Sequence, residues 1–192
     1  MDFREDLCGQ PLAGKKLVEM FSGNPATGGA EFSRGWEEAG GEAVRYDIAI
    51  DPLHDFLKDE VFWKRELENP ADVYWWGVPC TNLTNARTTG PGAGTRTAAH
   101  SAGDTTVLEI RHVDTVARRV FDLIIKLVAL GAAVVVENPM MTHLWDLDEF
   151  QYLMEQKGVT FFSRRPRRTR SPATRTHTRA MTDDEAASSS GR

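Results

Sequence analysis

The chain has 192 residues, is 41% hydrophobic and carries a formal net charge of −5, which predicts one soluble globular domain with a full core. No apolar run reaches the ~18 residues that a membrane span needs, so a membrane protein is excluded. The first residues hold neither the basic nor the apolar region of a secretion signal, and we expect an intracellular protein.

Short apolar runs alternate with amphipathic helical segments from residue 16 onward. This alternation predicts an α/β fold with a doubly wound, mostly parallel sheet in a single Rossmann-like domain. The predicted strands are, in chain order, "KKLVEMF", "EAVRYDI", "ADVYWW", the central strand "AAVVVEN" and the last strand "GVTFF". The predicted helices are "AEFSRGWEEAG", closed by Gly40 and Gly41, "DEVFWKRELEN", stopped before Pro70, and a long helix from about Val107 to Leu130, ended by Gly131.

Two segments interrupt this alternation. Residues 81–106 are rich in Thr, Asn, Gly and Ser, and a polar connection of this length is either functional or disordered. The tail, residues 163–192, holds eight Arg against Asp183, Asp184 and Glu185, a charge of +5 that leaves −10 for the rest of the chain. We therefore divide the chain into an N-terminal extension (1–15), a folded domain (16–162) and an Arg-rich tail (163–192) that we expect to be disordered.

The cysteines and histidines indicate neither a disulfide framework nor a metal site. Cys8 and Cys80 are the only cysteines, and an intracellular compartment would keep both reduced. The histidines are far apart in the sequence, at positions 54, 100, 112, 143 and 177. No zinc-ligand spacing is present.

A glycine-rich loop, "FSGNPATGG", follows the first predicted strand and opens a helix. In a doubly wound sheet this is where the backbone turns beneath a nucleotide-like ligand, although glycines at a strand end also simply make turns. Asp47 ends the second strand, where a carboxylate can accept hydrogen bonds from ribose hydroxyls. Asp51 and Asp55 follow, and one of them could cap the next helix instead. No P-loop lysine follows the glycines, so a dinucleotide site and an S-adenosylmethionine site both remain.

Three pieces of the chain, in order, resemble the C5-cytosine-specific DNA methyltransferase family. "EMFSG" with "FSRGWEEAG" resembles its first motif, "PCTNLTNAR" its Pro-Cys loop and "ENP" its Glu-Asn-Val motif. Thr84 stands where the family usually has Ser, Leu83 where it has Phe, and Pro139 where it has Val. The pieces cover roughly residues 16–140, and each lies at the end of a predicted strand.

The resemblance implies a Rossmann-like methyltransferase fold, S-adenosylmethionine as the cofactor and cytosine-containing DNA as the partner. Cys80 would add to C6 of cytosine as a thiolate, and Glu137 would hold N3 of the ring. We expect burial at the end of the apolar strand to favour the protonated form of Glu137 that this role needs. The implied cofactor contacts are Phe21, Ser22, Gly23, Asp47, Asp55 and Pro79, and the implied substrate contacts are Thr84, Arg87, Arg96 and Asn138, with both arginines on phosphate.

The chain also departs from the family pattern. Five residues, "NPATG", are inserted in the glycine loop, and the family's Gln-x-Arg-x-Arg motif and target recognition domain have no counterpart. Three alternatives follow: a compact methyltransferase with an "ENP…LW" ending, an enzyme that needs a partner chain for target recognition, or a truncated homologue of reduced activity.

Two other functions compete with this hypothesis. The first is a non-catalytic nucleic-acid-binding protein that acts through its Arg-rich tail on a degenerate methyltransferase scaffold. The second is a nicotinamide-dependent oxidoreductase, which explains the glycine loop and leaves the other two pieces unexplained. The tail segment "RRPRRTR" is also compatible with a linker or with a nuclear import signal, which would place the protein in the nucleus of a eukaryotic cell.

Overall fold

The centre of the structure is a four-stranded parallel sheet. The computed structural model describes residues 12–84, 90, 92–97 and 99–156. The strands are β1 (Lys16–Met20), β2 (Glu42–Tyr46), β3 (Val73–Gly77) and β4 (Ala133–Glu137). Their order is β2-β1-β3-β4, and every pairing is parallel. The predicted doubly wound, Rossmann-like α/β fold in a single domain is confirmed.

Four α-helices connect and cover these strands: α1 (Glu31–Glu38), α2 (Glu60–Glu68), α3 (Leu108–Ala129) and α4 (Asp148–Met154). The first three lie within the predicted segments. Gly40 and Gly131 follow α1 and α3 with φ of 89° and 90°, a conformation that glycine adopts without strain and that ends a helix. The sequence did not predict α4, because it has only seven residues and buries only Phe150.

Side chains alternate between the two faces of the sheet, as the strand geometry requires. Val18, Met20 and Trp76 face the larger core, which α2 and α3 cover. Leu17 and Val73 face the opposite side and pack with Trp36 of α1. Helices on both faces leave the carboxyl ends of the strands as the open edge where a doubly wound sheet binds its ligands.

The strand that the sequence predicted at residues 132–138 is β4, which pairs with β3 among the described strands. Its central position stays a prediction, because the strand expected to follow it lies outside the described residues. The predicted last strand, residues 158–162, and the tail lie outside the described residues, as does most of the N-terminal extension. None of the helices in the described ranges combines the length and the apolar composition of a membrane span.

Candidate functional site

The three family-like pieces meet at the carboxyl edge of the sheet. Phe21 follows β1, Pro79 and Cys80 follow β3, and Glu137 ends β4. The strand order reverses between β1 and β3, since the chain moves from β1 outward to β2 and then returns to the other side of β1. This switch point is where doubly wound sheets form their ligand crevice.

The inserted residues of the glycine loop form a closed bulge. The N–H of Ala30 donates to the carbonyl of Ser22 over 2.6 Å, and the N–H of Gly29 donates to the carbonyl of Asn24 over 3.0 Å. Within this bulge residues 25–27 form a single 3₁₀ turn, and the Asn24 side chain caps that turn. The insertion therefore leaves the path from β1 into α1 short, because Ser22 bonds directly to the residue before the helix.

Strained backbone lies at both ends of this loop. Phe21 has φ of 57° and Ala30 has φ of 59°, in the left-handed region that residues with a side chain rarely adopt. The N–H of Phe21 donates to the carbonyl of Tyr46 over 2.9 Å, and its ring packs 5.0 Å from that of Phe56. Such conformations persist only where surrounding contacts enforce them, and they concentrate at ligand sites.

A buried carboxylate supports the loop from below. Glu19 of β1 is 5% exposed, and its Oε2 accepts the N–H of Ser33 over 2.7 Å. The residue before α1 is Ala30, whose methyl side chain cannot accept a hydrogen bond and so cannot cap the helix. Glu19 thus accepts from an otherwise unpaired donor in the first turn of α1, where the helix dipole also favours a negative charge.

Asp47 joins the ends of β1 and β2. Its Oδ2 accepts the N–H of Gly23 over 2.9 Å, and its Oδ1 accepts the N–H of Ala49 over 2.7 Å. The half-buried carboxylate is therefore held by two backbone donors, one from each loop.

A cavity with a volume of about 470 Å³ opens above these loops. This volume is within the range found for small-molecule binding sites. Its lining residues are Phe21, Gly23, Tyr46, Asp47, Ile48, His54, Asp55, Phe56, Leu57, Gly77, Pro79, His112, Val113 and Val116. Five of the six predicted cofactor contacts are among them, and the sixth, Ser22, is buried beneath the loop. Of these described lining residues, two are carboxylates and none is a lysine or an arginine.

Asp55 is ionised at the cavity wall. The Lys58 ammonium, 2.6 Å from Oδ2, lowers the pKa of this carboxyl group, and the N–H of Leu57 donates to Oδ1. The sequence left open whether Asp51 or Asp55 caps the next helix, and neither does. The cap of α2 is Asp59, whose Oδ1 accepts the N–H of Phe62 over 2.9 Å.

The close packing of the glycine loop leads to a stability prediction. A Cβ on Gly29 would lie 2.7 Å from both the carbonyl carbon of Gly23 and the carbonyl oxygen of Ser22, which are backbone atoms that cannot move aside separately. We expect Gly29→Ala to lower the free energy of unfolding by about 1–3 kcal/mol in urea titrations. Gly35→Ala in α1 is the matched control, because nothing lies within 4 Å of its Cβ, and it should stabilise by ~0.5–1 kcal/mol. Equal effects of the two changes would contradict the close packing.

Cys80 lies in a tight turn that other segments hold in place. It carries a half-buried free thiol, and its carbonyl accepts the N–H of Leu83 over 2.8 Å. Nδ2 of Asn138 donates to the carbonyl of Val78 over 2.6 Å, which ties the "ENP" segment to the residue before Pro79. Cys8 lies outside the described residues.

A second connection joins the "ENP" and Pro-Cys segments after this turn. The carbonyl of Leu83 accepts the N–H of His143 over 2.6 Å, and Thr84 forms an isolated antiparallel bridge with Thr142. Thr84 and Asn138, both predicted as substrate contacts, therefore connect the Pro-Cys segment with the chain at and after "ENP", Thr84 through its bridge to Thr142 and Asn138 through its side-chain amide.

Glu137 is exposed rather than buried, which corrects the sequence-based expectation. It is the last residue of β4 and pairs in register with Gly77, three residues before Cys80. Among the described residues no strand lies beyond β4.

Arg96 is inside the protein, whereas the sequence placed it on substrate phosphate. It is 6% exposed, its Nε donates to the carbonyl of Asn82 over 2.7 Å, and one terminal nitrogen lies 2.7 Å from Oδ1 of Asp114. The other terminal nitrogen donates to the carbonyl of Ser101. An arginine so occupied is not available to a phosphate. Arg87, the other predicted phosphate contact, lies outside the described residues.

The sequence did not reveal the apolar and histidine walls of the cavity. His54 stacks on Tyr46 with ring centroids 4.5 Å apart, and His112 and Val116 approach from α3. Tyr46 could have been found from its position beside Asp47. No local signal marks His54 or the residues of α3, since they reach the cavity only through tertiary packing.

Within the described residues, no group of three or more His, Cys, Asp or Glu side chains is arranged to hold a metal ion. The sheet, its helices and the position of the cavity are those of a Rossmann-like α/β protein. Comparisons of the chain with protein-family models, curated proteins and solved structures gave no significant match.

Proposed function

We propose that the protein is a cytosine-5 methyltransferase-like enzyme that transfers a methyl group from S-adenosylmethionine to C5 of cytosine in DNA through a covalent adduct at Cys80. The observation that carries this proposal is the meeting of three separate segments at one edge of the sheet. The cavity borders Gly23, Asp47 and Pro79, and Cys80 is the next residue after Pro79. The hydrogen bond from Asn138 to Val78 then brings the "ENP" segment against the Pro-Cys turn.

The hydrogen-bond acceptors and the apolar walls of the cavity fit an adenosyl sulfonium cofactor. Two carboxylates, Asp47 and Asp55, can accept hydrogen bonds from ribose hydroxyls, and apolar side chains such as Phe56 can cover the adenine ring. A sulfonium carries positive charge, which the Asp47 carboxylate favours, whereas Lys58, 2.6 Å from Asp55, already offsets the charge of that carboxylate. A pyrophosphate would meet Asp47 with no lysine or arginine among the described lining residues. When bound, the cofactor supplies an electrophilic methyl group.

In this proposal the residues of the chain supply the remaining chemistry. The Cys80 thiolate would form a bond to C6 of cytosine, and the displaced electron pair would make C5 nucleophilic. C5 would then accept the methyl group as its bond to the sulfonium sulfur breaks, with the electron pair of that bond left on the sulfur as a neutral thioether. Glu137 would donate a hydrogen bond to N3, where negative charge builds up, and this role requires the protonated carboxyl group. Loss of the proton from C5 to solvent then lets the C6–S bond break and returns the thiolate.

Calorimetry tests the cofactor and separates this proposal from an oxidoreductase on the same fold. We expect S-adenosylmethionine to bind the full-length protein at least about tenfold more tightly than NAD, a difference of ~1.4 kcal/mol. The charge of the cavity wall is the reason for this expected preference. Tighter binding of NAD would reject the methyltransferase and favour the oxidoreductase.

The internal position of Arg96 gives some support to the alternative in which the Arg-rich tail binds nucleic acid, because it removes one of the two predicted phosphate contacts from the folded domain. That binding would be electrostatic and would weaken steeply with salt. Replacing the tail arginines with serine in the full-length chain should then abolish DNA binding. If binding persists, the folded domain makes the contacts.

A further inference from the structure

One buried guanidinium links helix α3 to the turn that carries Cys80. Arg96 bonds through Nε to the carbonyl of Asn82, two residues after Cys80, and pairs over 2.7 Å with Asp114 of α3. The side chains of both Arg96 and Asp114 are nearly excluded from solvent, with 4% and 12% exposure. The same guanidinium donates to the carbonyl of Ser101, so the Cys80 turn, the loop at Ser101 and α3 meet at one side chain.

The part of α3 that holds Asp114 also forms a wall of the cavity. Asp114 directly follows Val113, and Val113 and Val116 line the cavity. The ion pair between Arg96 and Asp114 therefore connects the cavity wall with the backbone beside Cys80.

A contribution to the free energy of folding is not a sufficient reason for a buried ion pair. Removing two charges from water is costly, and apolar residues in place of a buried ion pair are often equally stable or more so. What the planar guanidinium provides is fixed geometry, since its donors point in set directions toward three different acceptors. Lysine could not reproduce that arrangement from one ammonium group.

We propose that Arg96, held by Asp114, is a positioning residue that fixes the Cys80 turn against α3 and thereby sets the place of the thiol relative to the cavity. The local hydrogen bond from Leu83 to Cys80 closes the turn, and Arg96 holds the closed turn against the helix. This inference concerns the geometry of the chain and does not depend on the identity of the cofactor.

Alkylation of Cys80 by iodoacetamide tests the proposal without any cofactor or DNA. The experiment uses the full-length protein with Cys8→Ser, and rates are compared on the high-pH plateau, where thiol ionisation no longer limits the reaction. We expect Arg96→Met to raise the plateau rate about fivefold, the factor for losing the one hydrogen bond that it makes to the turn, at the carbonyl of Asn82. Asp114→Asn should raise the rate less, because the amide oxygen can still accept from Arg96 but the charge that holds the guanidinium is lost. Arg96→Lys should give a smaller increase, because it keeps the charge beside Asp114 and loses the other donors.

Tyr74→Phe is the matched control for general loosening. The Tyr74 hydroxyl is fully buried and donates to Oε2 of Glu66 over 2.9 Å, at the amino end of β3, away from Cys80. Its loss should lower stability and leave the alkylation rate unchanged. Hydrogen exchange of the Leu83 amide should accelerate in the Arg96 and Asp114 variants but not in this control.

Two outcomes would overturn the proposal. If neither Arg96→Met nor Asp114→Asn changes the alkylation rate and Leu83 exchange, the turn is held without the ion pair. If Tyr74→Phe raises the alkylation rate and the Leu83 exchange rate as much as the Arg96 and Asp114 variants do, the ion pair has no particular role in positioning Cys80. Should Arg96→Met fail to fold, Arg96→Lys and Asp114→Asn give the same discrimination.

Discussion

Replacing Cys80 with serine should abolish the covalent adduct that the full-length protein forms with DNA containing 5-fluorocytosine in the presence of S-adenosylmethionine. The reason is chemical: addition to C6 needs a strong nucleophile near neutral pH, and a thiolate meets that need where a serine hydroxyl does not. Fluorine at C5 prevents loss of the proton that would release the enzyme, so the adduct accumulates. On ordinary DNA we expect the rate of methyl transfer to fall by at least ~10³-fold, as for loss of a covalent nucleophile.

Cys8→Ser provides the control for this experiment, since it removes the other thiol and should leave adduct formation intact. A denaturing gel would show the adduct as a shifted band, and peptide mapping would locate it. An adduct in the Cys80→Ser protein, or one mapped to Cys8, would contradict the proposed role of Cys80. Calorimetric binding of the cofactor by Cys80→Ser should remain, because the Cys80 side chain is not part of the cavity lining.

Replacing Asp47 with asparagine should strongly weaken cofactor binding. Both carboxylate oxygens accept backbone N–H groups, from Gly23 and Ala49, and an amide offers only one acceptor oxygen. One loop must lose its bond, and a ribose hydroxyl loses a charged acceptor. We expect the affinity for S-adenosylmethionine to fall about 30- to 100-fold, corresponding to ~2–3 kcal/mol for hydrogen bonds to a charged group.

Asp51→Asn is the matched control for Asp47→Asn. Asp51 accepts the N–H of Leu53 over 2.9 Å in a similar local turn, but it is not part of the cavity lining. Calorimetry should therefore give the wild-type affinity for this variant. Unchanged affinity in Asp47→Asn would show that the cavity does not hold the cofactor as proposed.

The strands and long helices could be predicted because their signals are local. Apolar residues three or four apart indicated α3, and short runs such as the one ending at Met20 indicated strands. Gly40 and Gly131 marked helix ends because glycine accepts the left-handed conformation found there. Such signals fail for α4, which is too short to show a helical period and buries only Phe150.

For the candidate site, the sequence predicted the residues that follow strands, and the structure brings them to one edge. Phe21, Asp47 and Pro79 could be found in this way, because parallel strands present their carboxyl ends together. His54 and His112 could not be found, since their place at the cavity depends on how distant segments pack.

By itself the sequence determined the order of strands and helices, the glycine loop and the position of Cys80 directly after a strand, because short-range periodicity and turn chemistry are written in neighbouring residues. Tertiary structure alone decided that Glu137 is exposed and that Arg96 is buried. Burial depends on which segments cover a residue: β4 is the outermost described strand, whereas Asp114 and the carbonyls of two loops enclose Arg96. The sequence does not show whether a charged side chain faces water or a buried partner. Only the packing of the folded chain distinguishes the two.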